Sequence, residues 1–238
     1  MKIKNYKHLF FDLDGTLWDF ARNSEETLSD LFYEYQLGDG NELEFEVFHS
    51  TYVQINNGLW DEYRQGKLAK DVLSIQRFGR TLARFGIVVP GLAEELSVAY
   101  VKRSPHKTKL LPFALETLAQ LSRSYQLHLI TNGFNEVQET KISLSRIGEY
   151  IKHMITSEEV GCLKPCKAIF EYAFEKTGAE AAESLMIGDD YAIDIVGGAT
   201  AGMDTVFYNP LQNPSGIEAT YTIDCLSQLT NILTNPRP

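Results

Sequence analysis

The chain has 238 residues, 44% hydrophobic and 23% charged, enough to bury a full core in one large domain or in a core carrying an inserted module. Ordinary apolar content without a short period excludes disordered, collagen-like and low-complexity classes. Thirty-two acidic residues against 22 basic ones give a formal charge of −10, a field that repels polymeric nucleic acid but admits a small phosphorylated metabolite served by a few local cations.

The basic start, Met1 to Lys7, leads into an apolar run broken at Asp12 and Asp14. That run is too short for a signal peptide, and no stretch has membrane-spanning length, so no membrane partner is expected. Leu9-Phe10-Phe11 reads as a short buried strand stopped by Asp12-Leu13-Asp14-Gly15-Thr16. Helical periodicity then recurs over 23–37, 43–57, 68–85 and 91–102, with Asn23 and Glu26 spaced as a capping box and Gly38, Gly40, Gly86 and Pro90 as punctuation. From 105 onward strands and helices alternate. Strands are expected at 127–130, 184–187, 205–207 and 221–223, and helices at 112–124, 135–147 and 165–177. This order predicts an α/β fold, a Rossmann-like parallel sheet formed by 1–19 and 105–238, with a helical module inserted over 20–104.

Candidate chemistry gathers at the strand ends. Asp12 and Asp14 are two apart on extended backbone, so both carboxylates can face one site beyond the carboxyl edge of the sheet. Two close carboxylates repel unless a cation relieves them, and Mg²⁺ prefers such oxygen donors. Asp189 and Asp190 follow the strand at 184–187, and Asp194 is near enough to orient a ligand or Lys164. Thr131 ends another strand. With the turn at Asn132-Gly133, and with Lys164 before Pro165, it offers donors to a phosphoryl group. Together these groups fit phosphoryl transfer, with Asp12 as covalent nucleophile and Asp14 as acid and then base. Mg²⁺ would be held by Asp12, Asp189 and the Asp14 carbonyl, while Thr131, Asn132 and Lys164 bind phosphate and Asp190 and Asp194 support.

Asp12-Leu13-Asp14-Gly15-Thr16, Thr131-Asn132-Gly133, Lys164-Pro165 and Gly188-Asp189-Asp190 with Asp194 resemble, in order, the four motifs of the haloacid dehalogenase-like hydrolases. The resemblance covers nearly the whole chain. It implies a Rossmann-like core, a helical cap inserted after the first motif, and Mg²⁺ as cofactor. Family phosphatases use residues matching Asp12 as nucleophile and Asp14 as acid/base. Many relatives carry serine where Asp190 stands. The family's true dehalogenases usually lack the second acid, so Asp14 argues against that activity, whereas a phosphomutase would share the same core. Ser157 through Pro165, with Ile169-Phe170 and Asp194 through Ala199, is similar to a bacterial branch acting on nucleoside 5′-monophosphates, often pyrimidine ones. A phosphatase of sugar phosphates or phosphoglycolate, and a non-catalytic phosphate-binding protein, are the alternatives.

Trp18, Phe20, Trp60, Tyr63 and Arg64 are the candidates for reading a base or sugar. His49, His106, His128 and His153 are scattered, with no metal-ligand spacing. Cys162, Cys166 and Cys225 cannot all pair within one chain and lack partners for a zinc set, as expected for reduced thiols in a cytoplasmic protein. No heptad repeat marks an interface, which leaves monomer and homodimer equally open.

Overall fold

The computed structural model describes residues 5–39, 42–212 and 219–234. The first four residues and Gly40 therefore lie outside the described residues. The chain divides into two compact units, one formed by 1–20 and 108–238 and the other by 21–107, against expected boundaries at 19/20 and 104/105.

In the larger unit, among the described residues, six strands form one sheet: β1 (His8–Phe11), β2 (Gln126–Thr131), β3 (Ile151–Thr156), β4 (Ser184–Gly188), β5 (Asp204–Tyr208) and β6 (Tyr221–Ile223). Every neighbouring pair is parallel and the order is β3-β2-β1-β4-β5-β6. Parallel strands covered on both faces must be apolar on both, and β1 is buried at all four positions. Alternation sends Leu9 and Phe11 to one core with Leu127, Leu129, Leu185 and Ile187, and Phe10 to the other with Ile130, Met186, Ile169 and Phe170. After β1 the chain builds β2 and β3 on one side, then crosses to β4, β5 and β6 on the other. The crevice beside β1 is thus the topological switch point, where open α/β sheets place ligands at their carboxyl edge.

β3 was absent from the expected strands. It is an edge strand, and exposed Lys152 and partly exposed His153 interrupt its apolar run. His8, His128 and His153 are far apart in sequence, yet β1, β2 and β3 stack them with ring centroids 5.4 Å apart at each step.

The helical unit holds α1 (Phe20–Glu34), α2 (Phe45–Arg64), α3 (Lys70–Arg84) and α4 (Leu92–Arg103). Their apolar stripes meet in a second core that includes Leu28, Phe32, Phe48, Tyr52, Phe78, Leu96 and Tyr100. The expected capping box is corrected, because α1 already starts at Phe20. Asn23 is fully buried inside the helix, where its carbonyl accepts the Thr27 hydroxyl. No helix among the described residues is long and apolar enough to cross a membrane.

The remaining helices belong to the sheet unit: α5 (Ala114–Leu121), α6 (Asn135–Leu144), α7 (Ser157–Val160), α8 (Lys167–Thr177), α9 (Val196–Thr200) and α10 (Gln228–Thr234). Pro165 stands before α8, whose cap is Cys166, instead of inside its first turn.

Candidate active site

The carboxyl ends of β2, β1 and β4 lie side by side, so Thr131, Asp12 and Asp189 arrive at one rim from distant parts of the chain. Asp12, Asp189 and Asp194 each bring one carboxylate oxygen to within 4.8 Å of the others. Lys164 Nζ lies among them, 2.6 Å from Asp12 Oδ1 and 2.7 Å from Asp194 Oδ1, with its side chain 1% exposed. Thr16, which the sequence reading left without a role, donates its hydroxyl to Asp189 Oδ1 over 2.8 Å.

These groups are electrostatically strained. Burial pushes the Asp12 carboxyl well up, Lys164 pulls it back, and Asp194 and Asp189 raise it further. Burial, with help from Asp194, raises Asp189 to about 7. Asp194 is also raised by burial, against the pull of Lys164. Burial disfavours the Lys164 ammonium, but Asp12 and Asp194 outweigh that and hold it charged. One ammonium against three crowded carboxylates leaves negative charge uncompensated. A hard divalent cation with oxygen ligands fits this donor set, and Mg²⁺ is such an ion.

Two glycines make the crowding possible. Gly15 has φ of +93°, and a Cβ there would overlap the Asp189 carboxylate. A Cβ on Gly188 would overlap the Asp194 carboxylate.

Asp14 does not join the cluster through its side chain. The strand has ended, and its carboxylate turns to α6, where Lys141 Nζ lies 2.6 Å from Oδ1 and Gln138 Nε2 donates to Oδ2 over 2.9 Å. Gln138 Nε2 also donates to Thr131 Oγ1 over 2.7 Å, and so does Gly133 N over 3.1 Å. Both lone pairs of the Thr131 hydroxyl are then occupied, which leaves its proton to donate.

Three further expected residues find their surroundings, and for one of them, Trp18, the assignment changes. The Asn132 side-chain amide bonds the Lys164 backbone, accepting from its N–H at 2.8 Å and donating to its carbonyl at 3.1 Å, and so shapes the Lys164 loop; the phosphate contact expected at this turn belongs to its backbone N–H groups. Asp190 accepts from the N–H groups of Ala192 and Ile193, capping the turn that carries Asp194. Trp18 is fully buried in the core beneath the Lys141 ammonium, 4.2 Å from its ring centroid, and so offers no surface to a ligand. Phe20 is 37% exposed. Trp60, Tyr63 and Arg64 lie on α2 of the helical unit, Trp60 edge-on to Tyr63 and Arg64 paired with Asp61.

Gln138 and Lys141 escaped the sequence reading because polar residues on a helix look like its solvent face. Their spacing of three, which places both on one side, was the available signal.

A parallel sheet with acids converging at its switch point marks an α/β protein whose ligand site lies at that carboxyl edge. The sequence profile of the haloacid dehalogenase-like hydrolases matches residues 6–202, and the chain belongs to that family. It is 32% identical over 234 residues to the HAD-hydrolase YfnB of Bacillus subtilis, covering 97% of both chains. A crystal structure of YfnB bound to magnesium superposes with a TM-score of 0.87 at 31% identity, covering 97% of this chain and all of that one. The pyrimidine 5′-nucleotidase YjjG of Escherichia coli is 32% identical, with 94% of this chain and 96% of YjjG covered. The pyrimidine 5′-nucleotidase PynA of Streptococcus pneumoniae is 33% identical, with 96% and 97% covered.

Proposed function

We propose that this enzyme is a magnesium-dependent phosphomonoesterase that acts on nucleoside 5′-monophosphates through an aspartyl phosphate on Asp12. The observation that carries the reading is the buried Asp12 carboxylate, pinned by Lys164 and crowded by Asp189 and Asp194 at the switch point of the sheet. Relatives that act on pyrimidine nucleotides, at 32% and 33% identity, support the substrate class.

Lys164 holds Asp12 Oδ1, which leaves Oδ2 as the oxygen to attack phosphorus. Asp14 gives a proton to the departing alkoxide, then takes one from the water that hydrolyses the acyl phosphate. Thr131 donates its remaining proton to a phosphoryl oxygen, and Lys164 offsets the charge of the group in transfer. The Asn132 amide keeps Lys164 at the rim. Asp12, Asp189 and the Asp14 carbonyl would hold Mg²⁺, with Asp194 beside them. Bound there, it supplies positive charge that quiets the carboxylates and the phosphoryl group. Free thiols at Cys162, Cys166 and Cys225 fit a reducing compartment such as the cytoplasm. Selection of the nucleoside is assigned to Phe20, Trp60, Tyr63 and Arg64.

The test is phosphate release from a panel of nucleoside 5′-monophosphates and sugar phosphates, with Mg²⁺ or with EDTA. Release that requires Mg²⁺, with the highest kcat/KM on a nucleoside 5′-monophosphate, is expected. Release from none of the esters would refute the phosphatase reading, and a preference for sugar phosphates would refute its nucleotide part. Alanine at Phe20, Trp60, Tyr63 or Arg64 should alter the ranking of the panel.

A further inference from the structure

Helix α6 buries the wrong kind of residue. Surface helices turn an apolar stripe inward and leave lysine and glutamine in water. The buried side chains of α6 are instead Gln138 and Lys141, three apart on one face and both directed at Asp14. Lys141 is 4% exposed, and its ammonium is seated against the Trp18 ring. Such a seat costs rotamer freedom and hydration, which a solvated surface lysine keeps.

The arrangement takes hold of both ends of one carboxylate, with Lys141 on Oδ1 and Gln138 on Oδ2. Asp14 is 26% exposed, so without these partners its χ1 would be free to swing the carboxylate into water. Gln138 further ties the same carboxylate to Thr131. The price is visible in the same residue, because Gln138 Oε1 is buried with no hydrogen-bond partner among the described residues. An unsatisfied buried amide oxygen is costly, so its position at the contact with Asp14 and Thr131 calls for an explanation beyond packing.

We propose that Lys141 and Gln138 are positioning residues: they fix the Asp14 carboxylate at one orientation, in register with the Thr131 hydroxyl, so that the proton donor and the phosphoryl contact meet the substrate at a set spacing. Trp18 acts behind Lys141, as the surface on which the ammonium rests. The inference rests on the reading of Asp14 as the acid that protonates the leaving oxygen. Each carboxylate oxygen keeps a second lone-pair direction, so Asp14 reaches that oxygen without releasing α6.

Leaving-group chemistry separates positioning from a structural role. A nucleoside alkoxide needs its proton from Asp14, and p-nitrophenolate departs without one. The assay is first-turnover release of nucleoside or of p-nitrophenolate by wild type, Asp14→Asn, Lys141→Met, Lys141→Arg and Gln138→Met, all with Mg²⁺. Lys141→Met should slow nucleoside release roughly 10–100-fold and p-nitrophenolate release less than about threefold. Lys141→Arg, which keeps a donor to Asp14, should recover most of the loss. Gln138→Met keeps the lysine, should show the same split more weakly, and carries the test if the Lys141 variant does not fold. Equal slowing of both esters, or slowing of neither, overturns the inference. If Asp14→Asn shows the split and the α6 variants do not, the inference alone falls. If wild type releases neither product, or Asp14→Asn slows both equally, the inference falls together with the reading of Asp14.

Discussion

Replacing Lys164 with methionine removes an ammonium while keeping most of the side-chain volume, and so isolates the electrostatics of the buried cluster. The nitrogen lies 2.6 Å from one carboxylate and 2.7 Å from another. At an effective dielectric of about 20, each attraction is roughly 6 kcal/mol before desolvation is counted. Much of that is cancelled by the cost of taking three charged groups out of water, so the gross figures cannot be summed. Removing one partner of a buried pair nonetheless strands the others, typically at about 3–5 kcal/mol. In a chain of this size that lowers the melting temperature of the sheet unit by roughly 6–20 °C. The assay is thermal or urea unfolding in EDTA, followed by near-ultraviolet and amide signals. Addition of Mg²⁺ should recover part of the loss, because a divalent cation replaces the missing charge. A variant within about 0.5 kcal/mol of wild type in EDTA would refute the claim that Lys164 compensates a buried carboxylate cluster.

Asp189→Asn should have the opposite sign. Asp189 is held up at about 7 by burial and by Asp194, so the neutral amide should raise metal-free stability by about 1 kcal/mol while abolishing most of the stabilisation by Mg²⁺; unfolding with and without the ion reads both. His128 supplies the pH dependence. Burial lowers it to about 3 from its ordinary 6.5, so the unfolded chain binds the extra proton between those values. Its contribution is therefore complete above pH 6.5 and is lost as pH falls toward 3. At pH 4.5 the loss is about 2 kcal/mol once partial solvent screening is allowed for. His128→Leu should flatten the stability curve between pH 6.5 and 4.5, and unchanged curvature would contradict the assignment. Gly188→Ala should destabilise by about 1–3 kcal/mol and lower turnover, because its Cβ displaces the Asp194 carboxylate; normal stability together with normal turnover would count against the tight approach.

What the sequence carried best was what local chemistry determines. Phe10 and Phe11 before Asp12, and Ile187 before Gly188 and Asp189, mark buried strands ending in acids, and the alternation of strands and helices after 105 placed those ends on one rim. What it hid depends on long-range packing. β3 looks too polar for a strand until its edge position is known. Trp18, one of the candidates for reading base or sugar, proves to be core, where the chain after Asp14 folds back against Leu110. Asn132 and Lys164 sit 32 residues apart, so nothing local shows that the asparagine amide braces the lysine loop. Gln138 and Lys141 obey the helical period yet face inward, since their partner Asp14 lies 124 and 127 residues away. Spacing locates candidate chemistry, and only the fold decides which side chains hold it in place.

The central claim, attack by the Asp12 carboxylate on phosphorus, is tested most directly by trapping the phosphorylated chain. The enzyme would be mixed with ³²P-labelled nucleoside 5′-monophosphate and Mg²⁺, quenched in acid within the first turnover, and digested for peptide mapping. Label on the peptide containing Asp12, labile to hydroxylamine as an acyl phosphate must be, and absent from Asp12→Asn, is the result the account predicts. Turnover without any trapped label, or label that persists in Asp12→Asn, would contradict it.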